Sequence, residues 1–279
     1  MNNKKTLYYD KSLLEIEKIK TLSYRPTLGI HVCCGPCSAF PLEFLAPYFK
    51  IYILYSNSNI YPSEEYQRRL TELKRYVDIF NDEHHQDIEI VEFKYDNEKY
   101  NVSLAPFKDE PEGGKRCLLC YKKRMNETYK YADEHHFDYF TTVMTISRQK
   151  DSYILNQIGE NLSYQYQTKY FYSDFKKRKG IDRGIELRKK YNMYNQEYCG
   201  CVYSYLKWKE KLNGWKLIFF ILFFLKETRI GVVRNACMRA CNNIRARKKE
   251  KILKILLTLL VRYSIFLEVD AYICRHIDV

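Results

Sequence analysis

The chain of 279 residues carries 47 Lys and Arg against 34 Asp and Glu, a formal net charge of +13, and 10 cysteines. A hydrophobic fraction of 46% with 16% aromatic residues excludes an intrinsically disordered chain, and only 10 Gly and 7 Pro exclude collagen-like or low-complexity architectures. The charge is uneven: residues 207–279 hold 16 Lys and Arg and 6 Asp and Glu, so +10 of the +13 lies there, and the overall basicity says little about nucleic-acid binding by the first 206 residues.

The opening run MNNKKTLYYDKSLLEIEKIK has no apolar h-region, which predicts a cytoplasmic chain. Ten cysteines in that compartment point to metal ligation or thiol chemistry rather than to structural disulfides. Within residues 4–22, Leu13, Leu14, Ile16, Ile19 and Leu22 fall at helical spacing. Residues 28–32 read as a strand that runs into Cys33-Cys34-Gly35-Pro36-Cys37, with a helix from Ser38 onward. A second strand over 51–55 ends at Ser56-Asn57-Ser58-Asn59. Pro62-Ser63-Glu64-Glu65 then opens a long helix, with its acids near the positive end of the dipole. A third strand over 88–93 leads to Tyr95-Asp96 and a polar loop, and a helix covers about 118–135. A Thr-rich strand over 139–144, a helix over 154–162 and a short strand over 170–172 ending at Asp174 complete the pattern.

Strands alternating with helices predict an α/β fold with a mostly parallel, doubly wound sheet. Such sheets bind ligands beyond the carboxyl ends of their strands. Cys33, Cys34, Asn57, Asn59, Asp96, Thr145, Ser147 and Asp174 fall at those ends. Residues 1–206 read as one catalytic domain and 207–279 as a basic, apolar-rich helical extension of unassigned role. The apolar run at 217–225 is shorter than the roughly 20 residues a spanning helix needs, so no stable membrane insertion is expected. Residues 252–267 read as an amphipathic helix.

Seven cysteines form three groups, Cys33/Cys34/Cys37, Cys117/Cys120 and Cys199/Cys201; Cys237, Cys241 and Cys274 lie in the extension. The Cys117-Leu-Leu-Cys120 spacing brings two thiolates to one side of a helix start. Cys33 and Cys34 face one site only where the strand breaks, and Gly35-Pro36 supplies the break. Two pairs make four thiolates, enough for an iron–sulfur cluster or a structural zinc. Cys34-Gly35-Pro36-Cys37 also matches a thioredoxin-type dithiol motif, which leaves a dithiol oxidoreductase open as an alternative. Cys199-Gly200-Cys201 is a tight pair suited to a readily reduced disulfide or to an open ligand pair.

The runs HVCCGPCS (31–38), SNSNIYPSEEYQRRL (56–70), EPEGGKRCLLCYKKRM (110–125), DYFTTVMTIS (138–147), YSDFKKRKGIDRGIEL (172–187) and YCGCVYS (198–204) resemble epoxyqueuosine reductases of the QueH type. Order and spacing agree over about residues 26–206. The resemblance implies a PP-loop or HUP-like fold. It also implies an oxidoreductase performing the final step of queuosine biosynthesis, removal of the epoxide oxygen of epoxyqueuosine at the wobble position of a tRNA anticodon loop. It implies a 4Fe–4S cluster, whose ligands by motif position are Cys33, Cys34, Cys117 and Cys120. Cys199 and Cys201 look like the family's redox-active pair. A second, mononuclear metal ion, iron or zinc, is also implied, with Cys37 and Asp96 as candidate ligands. Asn195 stands where the family commonly has Arg, and Arg148-Gln149 replaces a more usual small or Pro-His pair.

Conversion of an epoxide to an alkene consumes two electrons and two protons and releases water. Low-potential electrons require a cofactor, reloaded here by an unassigned electron donor. The departing oxygen needs a proton donor or Lewis acid, for which Asp96 or Asp174 is placed at a strand end. Tyr61, Tyr95, Tyr121 and Tyr198 are candidates to stack a splayed base, and Arg116, Lys122, Lys123, Arg124, Arg148 and Lys150 to grip phosphates. An iron–sulfur enzyme that thiolates tRNA is a further alternative, although the turn CCGPCS lacks the glycine-rich ATP loop such chemistry needs.

Overall fold

A computed structural model describes residues 6–213; the readings for 217–225, 252–267 and the three cysteines beyond them lie outside the described residues. The chain divides into two units, Met1–Leu206 and Lys207–Val279, and the first carries the sheet. In chain order its elements are α1 (Leu7–Ile19), β1 (Thr27–His31), α2 (Gly35–Leu45), β2 (Lys50–Tyr55), α3 (Ser63–His84), β3 (Glu89–Glu92) and α4 (Asn97–Val102). Then follow α5 (Lys115–Glu134), β4 (Tyr139–Thr142), α6 (Ser152–Ser163), β5 (Lys169–Tyr170) and α7 (Gly180–Lys190). The strands lie in the order β3-β2-β1-β4-β5 and every pairing is parallel. This is the doubly wound order that the alternation predicts, with the direction of winding reversing between β1 and β4.

Side chains alternate across the strands and divide the core in two. Leu28 and Ile30 of β1 and Ile51, Ile53 and Tyr55 of β2 pack with α1, α2 and α3. Leu54 and Phe140 point the other way, into Met125 and Tyr129 of α5 and Leu155 of α6. Phe49 and Phe171, both fully buried, meet edge to edge-on face at 5.4 Å between centroids. Burial of each such ring stabilises the fold by roughly 1.5–3 kcal/mol. At Gly29 a Cβ would lie 3.0 Å from Phe137 and 3.1 Å from both Ala132 and Leu54. The bare backbone therefore lets the end of α5 and the following turn close onto the middle of β1.

The structure moves several sequence boundaries. α2 starts at Gly35 and α5 at Lys115, about one turn earlier than expected, so Cys37 and Cys117 lie inside first helical turns. Pro36 is compatible with that position because the first N–H groups of a helix need no partner within it. The strand expected to reach residue 144 stops at Thr142. There the Thr142 hydroxyl accepts the Met144 N–H at 3.1 Å, and Val143–Ile146 turn into a 3₁₀ segment. The segment read as a polar loop contains α4, capped by Asp96, and α7 was not anticipated at all. Its entry, Arg178 and Lys179, takes positive φ angles, which residue-type preferences disfavour.

Candidate thiol and metal site

At the end of β1 the chain turns directly into α2, and Cys34 occupies the N-cap position. Cys33 and Cys34 therefore sit at the positive end of a helix dipole, and Cys37 returns to them one turn later. The three sulfurs lie within 4.8 Å of one another, with Cys33 and Cys34 3.8 Å apart. Cys33 and Cys34 are buried and Cys37 is half-buried. The S–H groups of Cys34 and Cys37 donate to Cys33 and hold its thiol well below the ordinary value, against the effect of burial. Burial pushes Cys34 well up, and hydrogen bonding to Cys33 pushes Cys37 up to about 12. The Gln196 amide N–H approaches Cys37 Sγ at 3.7 Å, and its buried Oε1 has no partner.

The second group rides on the start of α5. Cys117 Sγ accepts the Gly113 N–H at 3.2 Å, and burial raises its thiol pKa. Cys120 is buried and accepts the Tyr100 hydroxyl at 3.2 Å; burial pushes it up to about 11. Arg124, one turn further along the same face, is 2% exposed. Its Nη2 donates to Asn57 Oδ1 at 2.6 Å, and Asn57 Nδ2 donates to the Val32 carbonyl, just before Cys33, at 2.8 Å. Asn57 thus ties the end of β1 to α5. The Arg124 charge acts on Cys120, Cys33 and Cys199. Lys150 is a second cation here, acting on Cys199, Cys33 and Cys37, with its ammonium 5.9 Å from the Tyr121 ring centroid.

The third group lies in a loop held from α3. Arg69 is 1% exposed, pairs with Glu65 at 2.8 Å, and donates to the carbonyls of Cys199 and Tyr198, each at 3.1 Å. Gly200 has φ +127°, and a Cβ there would lie 3.0 Å from Arg69 Nη1; only glycine fits that turn without strain. The Gly200 carbonyl accepts the Tyr61 N–H at 2.7 Å, and the Cys201 thiol donates to Ser204 Oγ at 3.4 Å. Cys199 and Cys201 lie within electrostatic range of both Cys117 and Cys120. All seven described cysteines are free thiols.

Other expected residues fall elsewhere. Asp96 accepts the Lys99 N–H at 3.0 Å as the cap of α4. Asp174 is buried and pairs with Lys177 at 3.8 Å, bracing the turn before α7. Arg116 and Arg124 are not surface grips for phosphate, because both are buried. Arg116 spends one nitrogen on the carbonyls of Phe107, Lys108 and Glu110. Tyr121 is buried and cannot stack an incoming base. Tyr95 is tied to the Ile60 carbonyl and packs on Tyr66 at 4.3 Å. Tyr61 is 37% exposed and meets Tyr205 edge-on at 5.4 Å, next to the Cys199 loop. At Asn195, the side chain accepts Arg188 Nη1 at 2.8 Å, so a guanidinium still reaches that position. Sequence reading missed the latch of Arg69 and the donor Tyr100; the one available signal for Arg124 was its i+4 spacing from Cys120.

The donor set is entirely sulfur, with two cations against it. That combination suits a thiolate-ligated, negatively charged centre rather than a hard cation, which prefers oxygen ligands. Cys33, Cys34 and Cys37 lie close enough together to hold a metal ion, at the crevice where doubly wound sheets bind ligands.

A family model described as "Epoxyqueuosine reductase QueH" matches residues 28–207. The chain is 38% identical over 205 residues to the epoxyqueuosine reductase QueH of Streptococcus pyogenes serotype M1, covering 73% of this chain and 80% of the relative. It is 39% identical over 211 residues to that of Staphylococcus epidermidis, covering 74% and 88%. The protein of the same name from Staphylococcus aureus is 39% identical over 207 residues, covering 73% and 86%. Among solved structures, the U34-tRNA thiolase NcsA of Methanococcus maripaludis with its 4Fe–4S cluster aligns over 88% of this chain and 83% of that one. The identity is 13% and the TM-score 0.39, a likeness too slight to argue from.

Proposed function

The chain belongs to the epoxyqueuosine reductase QueH family, and from that premise we propose how its thiol site performs the reduction. The protein is an oxidoreductase that converts epoxyqueuosine to queuosine. Its substrate in this reading is the modified base in the anticodon loop of a tRNA, and its compartment is the cytoplasm, where thiols stay reduced. Dithiol oxidoreductase and tRNA thiolase are the readings the family does not favour. Among the described residues no helix is long and apolar enough to cross a membrane.

A 4Fe–4S cluster would be held by Cys33 and Cys34 from the β1–α2 junction and by Cys117 and Cys120 from α5. When bound it supplies low-potential electrons one at a time. Cys37, third in the sulfur triangle, is free to hold a second, mononuclear metal ion, iron or zinc. Cys199 and Cys201 store the reducing equivalents that the reaction consumes. Their oxidation to a disulfide releases two electrons and two protons, which balances one epoxide reduced to one alkene and one water. An external donor then restores the pair. Arg69 holds this loop in place through two of its carbonyls. Tyr61 and the exposed cations Lys122 and Arg148 receive the base and its phosphates, and their contacts weaken as salt rises.

Asp96 enters as the group that passes one of those two protons on to the departing oxygen. Asn caps a helix as well as Asp does, so Asp96→Asn keeps α4 intact while removing the acid. Turnover falls if the carboxyl donates, and is unchanged if Asp96 only caps.

The observation that carries the reading is the gathering of Cys33, Cys34 and Cys37 within 4.8 Å, linked through Asn57 and Arg124 to the helix of Cys120. Its test is anaerobic purification of the full chain, iron and sulfide analysis, and reduction of epoxyqueuosine-containing tRNA. Stoichiometric iron and sulfide with queuosine formed supports it; a colourless, iron-free protein that still turns over would overturn it.

A further inference from the structure

Among the described residues three arginines are buried, and they differ in what balances their charge. Arg69 has a carboxylate, Glu65, at 2.8 Å. Arg116, 4% exposed, has three carbonyl oxygens in an arc and the face of Tyr203 at 4.3 Å. Arg124, 2% exposed, has the amide oxygen of Asn57; its Nε, like that of Arg116, is buried with no partner. Among the described residues no Asp or Glu forms an ion pair with it. A guanidinium cannot shed its proton inside a protein, and an uncompensated buried charge is strongly destabilising. The anion must therefore come from the remaining neighbours.

Those neighbours are sulfur. Burial opposes the Arg124 charge, but Cys120, Cys33, Tyr100 and Cys199 more than offset it. Cys120 lies one turn earlier on α5, on the same face. Cys33 follows Val32, whose carbonyl is held by the same Asn57 that binds Arg124. The guanidinium is therefore held by Asn57 between the end of β1 and α5, within electrostatic range of a thiol from each of the three cysteine groups.

We propose that Arg124 is the built-in counter-ion of the sulfur site. It is a positioning residue whose charge favours a net negative centre between Cys33, Cys120 and Cys199 and makes that centre easier to reduce. The inference rests on the reading that these thiols hold a redox centre. Its sign follows from electrostatics: reduction adds negative charge, and a fixed nearby cation stabilises the reduced state more than the oxidised one. Neutralising Arg124 lowers the reduction potential, while another cation in its place holds the potential near its original value.

The experiment compares the full-length protein with Arg124→Gln and Arg124→Lys. Gln keeps hydrogen-bonding capacity toward Asn57 without charge, and Lys keeps the charge without the planar fork. Each protein is reconstituted anaerobically with iron and sulfide, and its midpoint potential is measured by visible and electron paramagnetic resonance titration alongside iron content and melting. The expected result is a lower potential in Arg124→Gln, with the reduced-to-oxidised ratio at fixed potential falling by about tenfold, ~59 mV for a one-electron couple. Arg124→Lys recovers most of that shift. Loss of iron from the Gln variant alone, with Lys loading normally, also supports a role for charge. An unchanged potential in a fully loaded Gln variant overturns the proposal and leaves the cluster reading standing. Equal failure of both variants to load also overturns it, because shape rather than charge is then what matters. If the unsubstituted chain itself takes up no iron, the cluster reading falls and this inference falls with it.

Discussion

The thiols of the β1–α2 junction and those of the Cys199 loop are held in opposite ways. Cys33, Cys34 and Cys37 are placed by five consecutive residues, through a strand end, an N-cap and one helical turn. Cys199 and Cys201 sit in a loop whose carbonyls are gripped by an arginine on α3 about 130 positions earlier in the chain. The first group has the rigidity of the sheet and helix that carry it. The second is held by hydrogen bonds from Arg69 and Tyr61 to its carbonyls rather than by a strand, so its geometry can be altered without touching the sheet. A site that needs one fixed centre and one pair that changes redox state is well served by that division.

The largest expected contrast separates the two groups chemically. Cys33→Ser should lose bound iron and with it all turnover, a larger effect than the roughly 10–100-fold typical of changes one shell further out. Cys199→Ser should keep its iron and still fail to make queuosine; iron analysis and a tRNA turnover assay on both variants read the difference. If Cys199→Ser turns over normally, the loop is not the second half of the site. Next in size, Arg69→Met leaves Glu65 buried without its partner and should cost about 3–5 kcal/mol, measured by denaturant unfolding. The same variant should raise the alkylation rate of Cys199 and Cys201 while leaving that of Cys120 unchanged. Gly200→Ala forces a side chain into a positive-φ turn against Arg69 and should cost about 1–3 kcal/mol, seen as a lower melting temperature with iron content intact.

The smallest expected effect lies far from both groups and sets a baseline. Burial alone would push Glu15 up, but hydrogen bonds from Lys169 and Tyr139 hold it below its ordinary carboxylate value. A depressed folded-state pKa gives stability that is present above the unfolded value and lost as pH falls through the folded one. Glu15→Gln should therefore flatten the acid limb of the stability profile by less than about 1 kcal/mol. Melting curves from pH 3 to pH 7 would show it, and an unchanged limb would remove Glu15 from the account.

The sheet was legible because its signals are local: apolar runs bounded by polar strand ends, and acids at the start of α3, identify the element types without tertiary knowledge. The cysteine groups were legible for the same reason, since their spacing survives in the linear chain. The helix start at Gly35 was read one turn late because Gly and Pro are poor helix formers even where a first turn tolerates them, and the start at Lys115 because it follows directly on Gly113-Gly114. α7 was invisible because Arg178 and Lys179 enter it through conformations their side chains disfavour. Arg124 was misread as a surface cation for a more general reason. Nothing in the sequence says that its charge faces inward until Asn57 and three sulfur groups converge on it from distant positions.

Asn57 carries one further consequence. Its single amide takes the carbonyl before Cys33 on one side and the guanidinium after Cys120 on the other, so alignment of the two stretches is set by a side chain rather than by the peptide that joins them. Keeping that amide keeps the two stretches in register, while the intervening segment adds contacts of its own, from Tyr100 to Cys120 and from Gly113 to Cys117.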